Sequence, residues 1–272
     1  MRKTFWQTGL TITAAGLLLA TAAAAQKITF KDPVGDDNGP GNYSYPTDAV
    51  YERGSFDITE FSVNKKGDKV DFDVTVNSPL KDPWGMKTGF SVQMIFVFID
   101  TTPGEGQGFT DSVPGLNVKF APTDAWDRLV ILSPQPPGRV KDEVGQKASA
   151  MQSTIVVPNR VKGAGRTISG TVDLAQLGGG DPSQWGYQVV MQSNEGFPDK
   201  GDLLTRKVNE YEGQHRFGGG TDSDCDPHAV DILAGKGAGG ADEVQAQHDM
   251  LKYECNPDGT VKTGAVLKMV RK

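Results

Sequence analysis

The sequence predicts an all-β protein: an antiparallel β-sandwich with a disulfide-stapled C-terminal extension. Three observations carry this. Gly 34 and Pro 16 in 272 residues are turn formers that suit many short strands and interrupt helices. Val70, Phe72, Val74 and Val76 alternate strictly with Asp71, Asp73 and Thr75, which marks a strand with one buried and one wet face. Ser91–Asp100 is apolar almost throughout, with Val92, Met94, Ile95, Phe96, Val97, Phe98 and Ile99. Such a run suits a central strand covered on both faces.

The chain opens with Arg2 and Lys3, an apolar stretch from Leu10 to Leu19, and small residues ending in Ala23-x-Ala25. This pattern predicts a signal peptide over residues 1–25, with an apolar block too short to anchor in a bilayer. With no twin arginine and no cysteine at the cleavage site, the general secretory route and a secreted, periplasmic or cell-surface location are expected. Lys27–Phe30 begins the mature chain as a short strand and runs into the loop Asp32–Gly41. Phe56, Ile58, Phe61 and Val63 form the first arm of a hairpin that turns at Lys65–Asp68 into the alternating strand. After the central strand come Leu129–Leu132, Thr154–Val157, Ile168–Val172 and Tyr187–Met191, separated by Gly, Pro, Asn and Asp clusters. Helical periodicity appears only weakly, around Glu243–Tyr253. The triplets Gly178–Gly180 and Gly218–Gly220 read as loops within one sandwich, giving a module over 26–220 and an extension of it over 221–272. Export makes a Cys225–Cys255 bridge the default state of the two cysteines. Neither cysteine belongs to a C-x-x-C pair, which disfavours a metal site.

Lys+Arg 28 against Asp+Glu 34 gives a net charge of −6. Removing Arg2 and Lys3 leaves 26 against 34, or −8. That balance excludes a phosphate-backbone binder, so no nucleic-acid partner is expected. No segment after the leader is long and apolar enough to span a membrane. Three histidines, no Gly-x-Ser-x-Gly elbow and no H-E-x-x-H pair leave catalysis without support, so the chain is not read as an enzyme. Gly235–Gly240 lacks the Gly-Lys-Ser/Thr ending of a phosphate loop.

The segment from Phe30 through Asp32-Pro-x-Gly-Asp-Asp-Asn-Gly-Pro-Gly to Tyr43-x-Tyr-Pro46 resembles the opening of the C-terminal module of glucodextranase. That module also occurs in S-layer-associated pullulanases and in stand-alone secreted proteins. Gly54-x-Phe-Asp-Ile58, Pro83-Trp84, Gly89-Phe-Ser91, Ile99-Asp100, Trp185-Gly-Tyr187, Arg206, Phe217–Gly220 and Asp226-Pro-x-x-Val-Asp-Ile-Leu233 continue the likeness over nearly the whole mature chain. The resemblance implies a sandwich of the DOMON and family-9 carbohydrate-binding type, associated with polysaccharide or the cell envelope rather than with catalysis. The family often trails a large glycosidase, for which this chain has no room.

Asp32, Asp36, Asp37 and Asn38, with Asp48 further on, supply hard oxygens on a glycine-rich loop, the ligand type calcium prefers. Asp222, Asp224 and Asp226 fail the EF-hand spacing and read as a solvated acidic loop first and as a second, weaker calcium site second. Trp84, Trp126, Tyr43 and Tyr45 are the aromatics expected to stack on sugar rings, with Trp84, between Pro83 and Gly85, the foremost. Trp185 sits in a strand pattern and reads as core. Two alternatives stand beside the carbohydrate reading. One is a haem b protein of the DOMON type using Met94 or Met191 as axial ligand. The other is a purely structural envelope protein.

Overall fold

A computed structural model describes Met1, residues 26–104 and residues 106–272; the expected signal peptide lies, but for Met1, outside the described residues. The elements in chain order are β1 (Gln26–Lys31), β2 (Ile58–Lys66), β3 (Lys69–Val76), β4 (Gln93–Asp100), β5 (Val118–Phe120), β6 (Arg128–Leu132) and α1 (Pro137–Lys147). There follow β7 (Ile155–Val156), β8 (Val161–Ala164), β9 (Thr167–Asp173), β10 (Gly186–Ser193), β11 (Asp231–Ile232), α2 (Ala241–Leu251), β12 (Glu254–Cys255), β13 (Val261–Thr263) and β14 (Ala265–Leu267). Two five-stranded sheets, β1-β2-β3-β9-β8 and β11-β10-β4-β6-β7, dominate, and all but the β6–β7 pairing within them are antiparallel. The chain is all-β, as its turn-rich composition requires.

The alternation in β3 does what period two demands. Val70, Phe72, Val74 and Val76 are buried, and between them Asp71, Asp73 and Thr75 are half-buried on the outer face. There Thr171 and Ser169 donate to the carboxylates of Asp71 and Asp73. The core between the sheets is built on aromatics. Phe30 stacks on Phe61 at 5.8 Å and Phe61 on Phe72 at 6.4 Å, while Tyr187 meets Phe30 and Phe61 edge-on. All eight residues of β4 are buried. Ile95, Val97 and Ile99 face this first core, and Met94, Phe96 and Phe98 face a second.

The second core covers the far side of the second sheet with irregular chain. Val113, Leu116 and Trp126 come from the connection between β4 and β6. Val140 and Val144 come from α1, Leu251 from α2, and Leu267 from β14. This third layer contains what the sequence conceals. The α1 helix begins Pro137-Gly-Arg and buries only Val140 and Val144, one i,i+4 pair, too little to register as an amphipathic stripe. Strands β5 and β14 pair in parallel although about 150 residues separate them in the sequence. The segment 221–272 therefore does not hang from the sandwich: it supplies β11 to one sheet and β14 to the covering layer. Cys225 and Cys255 are disulfide-bonded, with Cα atoms 5.6 Å apart.

Candidate functional site

The loop after β1 brings Asp32 and Asp36 against Asp231 of β11. Oxygens of the three carboxylates all lie within 4.8 Å of one another. The side chains are 4%, 1% and 0% exposed. Both oxygens of Asp32, both of Asp36 and Oδ1 of Asp231 are buried with no hydrogen-bond partner among the described residues. Only Oδ2 of Asp231 is engaged, accepting from the Ile58 amide at 2.6 Å. Asp57 stands beside them. Its Oδ2 accepts from the Gly35 amide and the Asn77 carboxamide, while its Oδ1 is buried and free.

Such an arrangement is costly without a positive charge at its centre. Burial and then the neighbouring Asp36 push Asp32 well above the usual carboxylate range. Burial and then Asp32 and Asp36 do the same to Asp231. Burial, with Asp57 and Asp37 adding to it, lifts Asp36 to about 7, and burial followed by Asp37 lifts Asp57 to about 6. Four carboxylates that repel one another, two of them without any donor and two with one oxygen unpaired, are high-energy groups unless they share protons or a cation. An all-oxygen set suits a hard cation. Calcium–oxygen distances of about 2.3–2.6 Å place ligands across the ion roughly 4.6–5.2 Å apart, a span that matches this cluster.

Two residues of α2 fix the loops around the cluster. The Glu243 carboxylate accepts from the amides of Lys236, Ala238, Gly239 and Gly240 at 2.6–3.3 Å. Burial acts to raise its pKa, but these amides outweigh it and hold the group below its ordinary value. The Gly235–Gly240 loop is thus an anion cradle, filled by the chain's own glutamate rather than by phosphate. Glycine is required at Gly237, which sits at φ +62° with the Phe30 ring 2.6 Å from where a Cβ would stand. Gln247 donates to the carbonyls of Asp36 and Gly39 and accepts from the Ile232 amide. One side chain therefore ties the loop after β1 to β11.

Of the metal ligands expected from the sequence, the fold gathers Asp32 and Asp36 and sends the others elsewhere. Asp37 accepts from the Tyr45 hydroxyl. The Asn38 Oδ1 lies 3.3 Å from His248 Nε2. Asp48 closes a turn, accepting from the Val50 amide and from Gln214. Asp231 and Asp57 were missed as partners of this loop, and the signal for both is a lone carboxylate inside an apolar run: Ala229-Val-Asp-Ile-Leu-Ala234 and Phe56-Asp-Ile58. Asp222, Asp224 and Asp226 part ways as well. Asp222 takes the Glu210 amide, Asp224 pairs with Lys207, and Asp226 is buried against Thr221 and His228.

The aromatic expectations divide in the same way. Trp84 is 36% exposed, whereas Trp126 is 0%, Tyr43 6% and Tyr45 8%. Trp126 packs on Phe98 and Phe109 and donates to the Asp111 carbonyl; with no face open, it is a core residue and not a stacking platform. Tyr43 and Tyr45 are likewise internal. Tyr43 donates to the Pro227 carbonyl. Tyr45 begins an aromatic chain in which Tyr45 packs on Phe56 and Phe217, Phe56 on Tyr51, and Tyr51 on Trp84. Packed side chains therefore link the carboxylate loop to the exposed tryptophan. Arg206 sits over the Trp84 ring, its guanidinium carbon 5.8 Å from the centroid, and donates to Glu195, the Tyr51 hydroxyl and the His215 carbonyl. Met94 and Met191, weighed as haem ligands, are fully buried on opposite faces of the second sheet. They cannot line one pocket.

The model for the C-terminal, SLH-like binding module of glucodextranase matches residues 28–269 of the chain. No curated protein matches it. Among the described residues no helix is long and apolar enough to cross a membrane.

Proposed function

Because the chain belongs to the family of the C-terminal, SLH-like binding module of glucodextranase, we propose that it is a secreted, non-catalytic module that binds polysaccharide of the cell envelope or its surroundings and is held in shape by one calcium ion. The observation that carries the calcium part is the set of buried, donorless oxygens shared by Asp32, Asp36 and Asp231. These three residues would hold the ion, and the charge of Asp57 acts on all of them. A bound cation would join the loop after β1 to β11, and through the Asp231–Ile58 hydrogen bond to the start of β2. It would also brace the aromatic chain that ends at Trp84. The flat, partly exposed indole of Trp84, backed by Arg206, is the surface offered to a sugar ring. A disulfide at Cys225–Cys255 accords with an oxidising compartment outside the cytoplasm.

Two measurements test the two parts separately. Thermal unfolding in calcium and in chelator should show a clear rise with calcium, and an unchanged midpoint sinks the metal centre. Affinity electrophoresis against neutral and acidic polysaccharides should show retardation that Trp84→Ala abolishes without lowering the melting temperature. A calcium response with no retardation in any gel favours the purely structural envelope protein instead.

A further inference from the structure

A cavity of about 280 Å³ opens beside the loop that carries Trp84. Its walls are apolar, with Met86, Ile131, Val140, Val157 and several prolines, and its polar rim carries Lys87 and Arg160. No aspartate or glutamate lines it, in a chain where acidic residues outnumber basic ones by 34 to 28. Among the described residues Lys87, Arg160 and the adjacent Arg139 have no carboxylate within ion-pair distance.

Three further features point the same way. The cavity borders the start of α1, which has no acidic residue in its first turn and no side-chain cap. Pro136 and Pro137 carry no N–H and the Val140 amide is bonded to the Pro136 carbonyl, so the Gly138 and Arg139 amides, with the helix dipole, are what favour negative charge there. Ser133, 3% exposed, lines the cavity and accepts from the Gln135 amide, yet its hydroxyl proton has no acceptor among the described residues. Lys87 stands at φ 65°, a left-handed conformation uncommon outside glycine. Asp82 holds it there by accepting from its amide at 2.7 Å, and Asp82 also takes the Met86 amide and the Ser91 hydroxyl. The loop spends its one carboxylate on shaping itself and leaves the cation free.

We infer that this cavity is a subsite for a single carboxylate-bearing sugar ring, so that the polysaccharide recognised is an acidic one. The inference rests on the glycan-binding reading above and narrows it. Proline and methionine walls suit the C–H faces of a pyranose, and the volume, just below the roughly 300–1,000 Å³ typical of ligand pockets, admits one ring rather than several. Lys87 and Arg160 meet the carboxylate at the rim. Trp84 is three residues from Lys87, at most about 11 Å of chain. Hydrogen bonds join the surroundings of Trp84 to the cavity wall: Arg206 donates to Glu195, and Arg139 donates both to the Gly196 carbonyl and to Gln135, which lines the cavity. One saccharide can therefore stack on the indole while the next unit enters the cavity.

The test is calorimetric titration of the calcium-loaded protein with trigalacturonate, with maltotriose as the neutral match and hexanoate as a carboxylate without a sugar. Trigalacturonate should bind at least tenfold more tightly than maltotriose, and more weakly in 500 mM than in 50 mM salt. The double variant Lys87→Gln/Arg160→Gln, both exposed positions, should lose that preference while keeping the wild-type melting temperature. Equal affinity for acidic and neutral trisaccharides, or an unaltered double variant, overturns the inference. So does displacement of trigalacturonate by equimolar hexanoate, which would make the cavity a general carboxylate site. Retardation by neutral polysaccharide without a uronate preference leaves the glycan-binding reading standing, whereas no retardation by any polysaccharide removes both.

Discussion

Asp231→Asn should stabilise the protein in chelator and destabilise it in calcium relative to wild type. The carboxamide oxygen can still accept from the Ile58 amide, as Oδ2 does at 2.6 Å, so the backbone link survives. What changes is the charge facing Asp32 and Asp36 within 4.8 Å. At an effective dielectric of about 20, two unit charges at that distance repel by about 3.5 kcal/mol. Proton uptake limits the penalty, since burial and mutual repulsion lift Asp231 and Asp32 well above the usual carboxylate range and Asp36 to about 7. A relief of about 2 kcal/mol at pH 7.5 is therefore expected, which raises the midpoint by roughly 4–8 °C for a domain of this size. Calcium at a thousand times its dissociation constant stabilises the wild type by about 4.1 kcal/mol, or roughly 8–16 °C. The variant, short of one ligand, should gain little. Scanning calorimetry of both proteins in both buffers should thus show an inverted order of midpoints. If the variant melts lower by the same amount with and without calcium, Asp231 is only a hydrogen-bond acceptor, and the reasoning fails.

Further outcomes follow from the same geometry. In chelator, the folded state holds protons that the unfolded chain releases near pH 4. The contribution of Asp36 and Asp57 to stability is therefore present below pH 4 and lost as pH rises through about 6 to 7. The calcium-minus-chelator difference in midpoint should accordingly grow from pH 5 to 7.5, and a constant difference refutes the linkage. Glu243→Gln weakens charge-assisted bonds to four amides and should cost about 2–3 kcal/mol, read from chemical denaturation; a change below 0.5 kcal/mol on that scale would mean that the glycine loop holds its shape unaided. Reducing or replacing the Cys225–Cys255 bridge, which closes a loop with sequence separation 30, should cost about 3.6 kcal/mol, or roughly 7–15 °C. An unchanged midpoint would show that packing of 221–272 onto the sandwich alone closes that loop.

The parts of the fold that sequence exposes are those whose periodicity is set by a single apolar face or by complete burial. Strands β3 and β4 are legible because Val70–Val76 alternates and Gln93–Asp100 does not, and each pattern has one structural meaning. The covering layer is illegible for the opposite reason. α1 buries two valines and draws the rest of its stability from context. The β5–β14 pair has three residues a side, and nothing local in Ala265–Leu267 specifies a parallel partner at Val118–Phe120.

The carboxylate site divides along the same line. A dense acidic loop is visible in one dimension, but density is not convergence: Asp37 is satisfied by Tyr45, eight residues on, and Asp48 by the Val50 amide and the distant Gln214 carboxamide, and only Asp32 and Asp36 point inward. The residue that completes the set, Asp231, betrays itself by its surroundings rather than by neighbouring acids. A carboxylate flanked by Val230 and Ile232 in a fully buried strand must meet a donor, a proton or a cation. The Ile58 amide satisfies one of its oxygens and leaves the other open towards Asp32 and Asp36. The isolated acid inside an apolar strand is thus a sharper pointer to a candidate cation site than the acidic loop, because burial makes its charge costly and the fold must answer that cost.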